Sequence, residues 1–379
     1  MIGSSLYLLA TVGMVAVSGV SADSLKAVRR DSLRLPSDTS LSLSVGGFLD
    51  TYVAYDMGRP RTLDRAYTTQ PARHNEFNVN LAFVELGLSG PRVRGRLALQ
   101  AGTSVQANYA GEPRLGSVSG PDVGRMLQEA YVGYELRPGL WIDGGVFFSN
   151  AGMEGWVSRD NPIYTRSLVA DYSPYYSSGV RATWQATPKL TARVDIVNGW
   201  QVISESNEDK TLGARLDYAL TPVTSLSWYG LAGNEAGARL RLFNGIGLKT
   251  KVGARVELMA QADVGSQEAA DSTGAAGQSS SWYGAMLIAR VTVAPAVALT
   301  GRVERYNDQD QVLITTGTAN GLRANGASVG IDVRPAPRLL WRSEARVLAG
   351  EAAIFPDRNA TAGLSTRNAV VVTSLAVTF

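Results

Sequence analysis

A single histidine, His74, stands in the chain of 379 residues, and there is no cysteine. A Ser-His-Asp relay would rest on that one imidazole, which lies beside Asn75 and Glu76 in a stretch expected to be an exposed loop. Zinc held by His and Cys is excluded by count. The acids Glu205, Glu208 and Asp209, and Asp308 and Asp310, lack the spacing of a calcium-binding loop and are expected to be solvated. No helix is expected after the Gly-rich stretches, so they do not form phosphate cradles. The net charge of +3 is too small to point to nucleic acid. No catalytic residue, metal site or cofactor is expected.

Arginines and carboxylates do recur with a usable spacing, at alternate positions of apolar segments. The basic row is Arg94, Arg96, Arg181, Arg193, Arg215, Arg239, Arg241, Arg255, Arg290, Arg302, Arg334, Arg342 and Arg346. The acidic row is Asp50, Glu129, Glu135, Asp143, Asp195, Asp217, Glu257, Asp263, Glu304, Asp332 and Glu344. Rows of this kind can line a water-filled pore, where rings of charge set ion preference. Water is expected to keep them ionised. About half are expected to be paired braces of the wall, and the small arginine excess leans toward anions.

The elements that must carry these rows are β-strands. In the last stretch Ala369, Val371, Thr373, Leu375, Val377 and Phe379 alternate with Asn368, Val370, Val372, Ser374, Ala376 and Thr378. A side-chain period of two places one face against an apolar medium and the other near water. From Leu41 onward the alternation yields sixteen segments. In 76–88 the apolar residues change sides between Phe83 and Val84, which predicts a bulge or a shifted register. Another segment is expected over 92–106, and 237–248 is expected to be distorted by its glycines.

Short connections rich in proline, such as Ser89-Gly90-Pro91, Arg137-Pro138-Gly139 and Thr187-Pro188-Lys189, alternate with long polar ones near 57–75, 107–126, 149–175, 200–209, 265–279, 307–324 and 350–366. Only 233–236 breaks the rule. Long loops at one end and short turns at the other describe a transmembrane antiparallel up-and-down β-barrel. Aromatic residues of the apolar face fall at strand ends: Tyr134, Trp184, Tyr218, Trp228, Trp341 and Phe379 at the short-turn end, and Tyr55, Phe148 and Tyr283 at the other. Two such bands are interfacial girdles. A mean hydropathy near zero agrees with alternating faces.

The amino terminus carries an apolar run ending in Val20-Ser21-Ala22, a small-residue cleavage site, although no Lys or Arg precedes the run. Residues 1–22 therefore read as a secretory signal peptide, 23–39 as a periplasmic lead-in and 40–379 as the barrel. The phrases Gly47-Phe48-Leu49-Asp50-Thr51-Tyr52, Asn75-Glu76-Phe77 and Val197-Asn198-Gly199-Trp200 resemble the OmpL-like β-barrel porin family. The resemblance implies a porin of the bacterial outer membrane, in contact with lipid and lipopolysaccharide, passing small hydrophilic solutes. It also implies that Phe379 is the signal read by the barrel-assembly machinery. A substrate-specific channel, or a barrel adhesin or enzyme with active loops, are the other readings.

The connection 149–175 is long and aromatic for an exposed loop, and follows the fifth strand, where general porins fold a constriction loop inward and associate as homotrimers. Glu154, Arg159, Asp160, Arg166 and Asp171 are its charged residues. Its acids are expected to face the wall arginines across a narrow gap, creating a transverse field. An extracellular flap, or a loop clasping a neighbouring subunit, is the alternative.

Overall fold

The computed structural model describes residues 31–34, 41–235, 239–270 and 276–379. The signal segment 1–22 and most of the lead-in lie outside the described residues. Sixteen long strands form the wall. They are β1 Ser42–Asp56, β2 Phe77–Ser89, β3 Val93–Ala101, β4 Leu127–Arg137, β5 Leu140–Phe148, β6 Tyr176–Thr187, β7 Leu190–Val197 and β8 Thr211–Thr221. The second half is β9 Thr224–Glu235, β10 Arg239–Val252, β11 Val256–Ala270, β12 Ala276–Ala294, β13 Val297–Asp308, β14 Leu322–Ala336, β15 Leu339–Gly350 and β16 Arg367–Thr378. Each pairs antiparallel with its neighbour in sequence, and β16 pairs with β1, from Val370 opposite Asp56 to Thr378 opposite Phe48. The sheet therefore closes and keeps no long free edge. The short strand Asp31–Arg34, within the lead-in, pairs with Ser42–Val45 and occupies the edge of β1 beyond the end of β16.

The alternation decides which face meets which medium. On the outside stand Leu216, Ile246, Leu287, Val303, Val329, Val371 and Leu375, all exposed. Tyr134, Trp184, Tyr218, Trp228, Trp341 and Phe379 are exposed at one rim, and Tyr55, Phe77 and Tyr283 at the other. Phe148 instead packs in part against an inner aromatic cluster. No described helix is long and apolar enough to cross a membrane. The tight turns lie at the rim that holds both ends of the wall. Gly139, at φ 78°, takes the left-handed conformation that the turn between β4 and β5 needs.

Several expected boundaries change. The segment 92–106 ends as a strand at Ala101, and Thr103–Asn108 is a helix (α1) that buries Ser104, Val105 and Asn108. The 265–279 loop is largely strand, since β11 and β12 pair as far as Ala270 opposite Ala276. From Arg239, where the described residues resume, this segment is a regular strand reaching Val252, and Gly245 and Gly247 face inward without breaking the ladder. In β2 the bulge falls at Asn80, not between Phe83 and Val84: Asp50 pairs with Leu81 and Thr51 with Val79. Beyond it Leu81, Phe83 and Glu85 all point inward while Val84 and Leu86 point out. Apolar side chains face inward here because the lumen is filled by another part of the chain.

Candidate functional site

The filling is the connection 149–175, which folds inside the barrel. Met153, Trp156, Ile163, Tyr164, Leu168 and Val169 are all buried. Inward glycines of the wall make sockets for it. The Met153 side chain occupies the place of a Cβ on Gly247 of β10, and Val169 does so at Gly284 of β12. At Gly330 of β14 an added Cβ would lie 3.1 Å from Ile163 Cγ1. Close backbone approach of this kind is what a glycine in a strand permits.

Polar contacts tie the loop around most of the circumference. Ser158 Oγ donates to Asp50 of β1 at 2.8 Å, and Trp156 Nε1 to Gln100 of β3 at 2.9 Å. Asn150 Nδ2 donates to Asp195 of β7 at 2.5 Å, and Arg215 of β8 donates to the carbonyls of Asn150 and Gly152, both at 2.8 Å. Met153 N donates to Gln261 of β11 at 2.8 Å. Arg290 of β12 and Thr300 of β13 both donate to the Pro162 carbonyl, and Arg342 of β15 to the carbonyls of Ser158 and Asn161. Arg159 Nη1 reaches Thr378 of β16 at 2.7 Å.

The strongest attachment is to β13 and β15. Thr165 donates from N and from Oγ1 to Glu344, each at 2.7 Å, and Leu168 N donates to Glu304 at 2.6 Å. Leu168 opens the single-turn helix Leu168–Asp171 (α2), capped by Ser167 Oγ. Arg302 lies among Glu154 (3.8 Å), Glu304 (3.3 Å) and Glu344 (3.3 Å), and Arg346 bonds Glu304 at 2.7 Å. All five of these side chains are almost completely buried. Burial raises the Glu154 carboxyl above its ordinary range, with Arg302 and Ser167 opposing the shift.

Elsewhere the charge rows pair across strands two apart, over a small residue between. Arg94 of β3 bonds Asp143 of β5 at 2.7 Å over Gly133. Arg346 of β15 meets Glu304 of β13 over Gly326, and Tyr229 of β9 meets Asp263 of β11 over Gly245 at 2.5 Å. The inner side of a barrel is concave, so such side chains converge. Arg181 pairs with Asp195 and Arg96 with Glu85 and Glu129, while Arg290 and Arg342 share Asp332.

Most of the expected rows fall into three groups. Glu129, Asp143, Asp195, Arg215, Asp263, Arg290, Arg302, Glu304, Asp332, Arg342, Glu344 and Arg346 are buried, as is Asp50. Ion pairs take the place of hydration for most of them, because the inward loop fills the lumen, whereas Asp50 and Asp263 meet only neutral hydrogen-bond donors. Arg94, Arg96, Arg181, Arg193 and Asp217 keep partial exposure on the short-turn side. Arg255, Glu257 and Arg334 sit at the mouth: Arg255 lies exposed in the turn after β10, and Glu257 pairs with Lys251 at 3.4 Å. Glu135 Oε1 braces the turn at Gly139, and Arg241 on the far side lies 5.2 Å from the ring centre of Trp200 and 5.9 Å from that of Trp282.

The loop charges do not line up as a row of acids. Glu154 is enclosed by Arg302 and Ser167, and Asp171 by Arg166, Thr69 and Tyr175. Only Arg159 and Asp160 keep some exposure, 26% and 12% of their side chains, with Arg159 stacked over Phe48 at 5.0 Å. Burial raises the Asp160 carboxyl, and Arg159 opposes this. Glu85 and Lys249 join the accessible set, although neither stands in the expected rows. The inward apolar pair Leu81 and Phe83 disguised the register that exposes Glu85. Lys249 lies beyond the expected end of its strand. His74 is buried rather than exposed, its Nδ1 accepting from Asp56 N at 2.9 Å. Among the described residues no cluster of His, Cys, Asp or Glu has the makings of a metal site.

No curated protein matches the chain. Solved structures share its fold. An anion-selective porin from Comamonas acidovorans superposes with a TM-score of 0.59 at 12% identity, over 89% of this chain and all (100%) of that one. The outer-membrane channel DcaP of Acinetobacter baumannii gives 0.60 at 14% identity, covering 91% and 99%. A trimer form of the outer-membrane protein OmpT of Vibrio cholerae gives 0.53 at 6%, covering 90% and 100%. The family described as "Putative beta-barrel porin-2, OmpL-like" matches residues 42–379. The chain belongs to this OmpL-like porin family and is a barrel of the bacterial outer membrane.

Proposed function

We propose that this porin passes small hydrophilic solutes and ions by diffusion, with a preference for anions. The observation that carries the reading is the charge left accessible on the short-turn side. The accessible charges there are Arg94, Arg96, Arg159, Arg181, Arg193 and Lys249 with Glu85, Asp160 and Asp217. Asp143, Glu129 and Asp195, the partners of Arg94, Arg96 and Arg181, are buried beneath them. Fixed cations at a narrow, poorly screened passage raise local anion concentration. The test is the reversal potential of purified, refolded protein in a bilayer under a salt gradient. Wild type is expected to favour chloride, and R94Q/R96Q to move several-fold toward cations. A cation-selective wild type overturns the reading. Flux that saturates with one solute would favour the substrate-specific alternative.

The remaining assignments belong to the same reading. Residues 1–22 serve for export and are removed, 23–39 lie on the periplasmic side, and lipid and lipopolysaccharide contact the outer apolar face. The assembly machinery reads Phe379. The barrel acts as a homotrimer, as the OmpT trimer form suggests by analogy. Crosslinking in membranes distinguishes trimer from monomer.

A further inference from the structure

Each of the sixteen strands carries at least one buried inward side chain, among them Asp50, Gln100, Asp195, Gln261, Arg302 and Glu344. Accessible lumen lies only above and below. Below is the basic vestibule of Arg94, Arg96 and Arg159. Above is a cavity of about 280 Å³ lined by Tyr172, Trp200, Arg241 and Leu313 among others. The loop 149–175 separates the two.

We propose that the barrel rests shut at its waist, and that solute passes only when the loop leaves a latch formed by Arg302, Glu304 and Glu344. This rests on the reading of the barrel as a channel. The latch differs from a permanent plug in its chemistry. It holds the loop through Thr165 and Leu168, by hydrogen bonds that water or a charged solute can replace. It also keeps two arginines and three glutamates (Arg302 and Arg346 with Glu154, Glu304 and Glu344) out of water. Desolvating such a group offsets much of its mutual attraction. Opening rehydrates these charges, so the latched and released states lie closer in free energy than the bonding alone implies. The apolar packing of Met153, Ile163 and Val169 in the glycine sockets sets where the loop returns.

The absence of native cysteine makes a direct test available. Val169 Cγ1 already touches the place of a Cβ on Gly284, so V169C/G284C can tie the loop to β12. Single-channel recording of the full chain, with heat-modifiable mobility as a check of folding, reads the result. The oxidised pair is expected to lose at least tenfold in open time and to regain it on reduction. T165V, which removes the hydroxyl bond to Glu344 and leaves the wall intact, should lengthen open time several-fold. Oxidised, crosslinked protein that conducts like the reduced form overturns the gate, because a passage then exists beside the loop. An unchanged open time in T165V removes the latch from these residues. If wild type, the reduced pair and a folded deletion of 156–170 all fail to conduct, the channel reading itself falls.

Discussion

Phe379 closes the barrel upon Gly47. The two exchange backbone hydrogen bonds, Gly47 N to Phe379 O at 2.9 Å and Phe379 N to Gly47 O at 3.1 Å. The phenyl ring lies on the glycine where a Cβ would collide with it. Gly47→Val therefore displaces the ring from its seat at the seam. Phe379→Asp removes ring and anchor together. Both should lower the amount of heat-modifiable barrel in the outer membrane, F379D more than G47V. Levels equal to wild type in both would remove this pair from assembly.

The two faces of the wall should respond oppositely to charge. Leu216 is mid-strand, exposed and outward. Leu216→Arg should cost ~2–4 kcal/mol near the membrane midplane. Thr183, on the inward row of β6 and partly exposed, should accept Arg with little loss. Urea unfolding of the refolded proteins in detergent or lipid checks the order.

Arg159 is the loop cation nearest the accessible vestibule, held over Phe48 and bonded to Thr378. Arg159→Ala removes one fixed positive charge there and frees Asp160. The chloride preference should fall about as far as in a single substitution of Arg94, with folding unchanged. Reversal potentials of the two variants give the comparison.

His74 anchors the loop 57–75 with its neutral ring. Burial holds its pKa below the ordinary 6.5, since the cation would lose its surroundings and the bond from Asp56 N. The opened loop takes up a proton at the ordinary value and the closed loop only at a lower one. Opening should therefore grow as pH falls below about 6.5 and level off below the folded pKa. Tryptic cleavage at Arg61 should follow that profile in wild type and lose it in H74N.

Deleting 156–170 should raise single-channel conductance several-fold and alter selectivity, since Arg159, Asp160 and Arg166 leave together. A folded deletion variant with wild-type conductance and selectivity would place the loop outside the permeation path.

The wall was legible because period-two alternation and proline turns are local signals. Leu216, Ile246 and Val371 face outward for the reason their spacing implies. The fate of the charge rows was not legible. Arg302 reads like any other inward arginine until Glu344, forty-two residues later, arrives two strands away over Ser328. Such pairing depends on barrel curvature, which no window of sequence contains. The glycines at 247, 284 and 330 were equally opaque, since a socket is recognised only with its occupant. Two phrases of the family resemblance gain a physical meaning. Gly47 and Asp50 receive the last residue and the inward loop, and Trp200 packs edge-on against Phe243 and Trp282 above it.

A thin-walled tube under sideways pressure yields by flattening into an ellipse, and a bilayer presses on its proteins from every side. The bonds from residues 149–175 to β1, β3, β7, β8, β11, β12, β13, β15 and β16 act as tie rods across the bore. Flattening along any diameter would stretch some of them. The roundness of this tube is thus maintained from within, and a barrel emptied of its loop would be softer as well as wider.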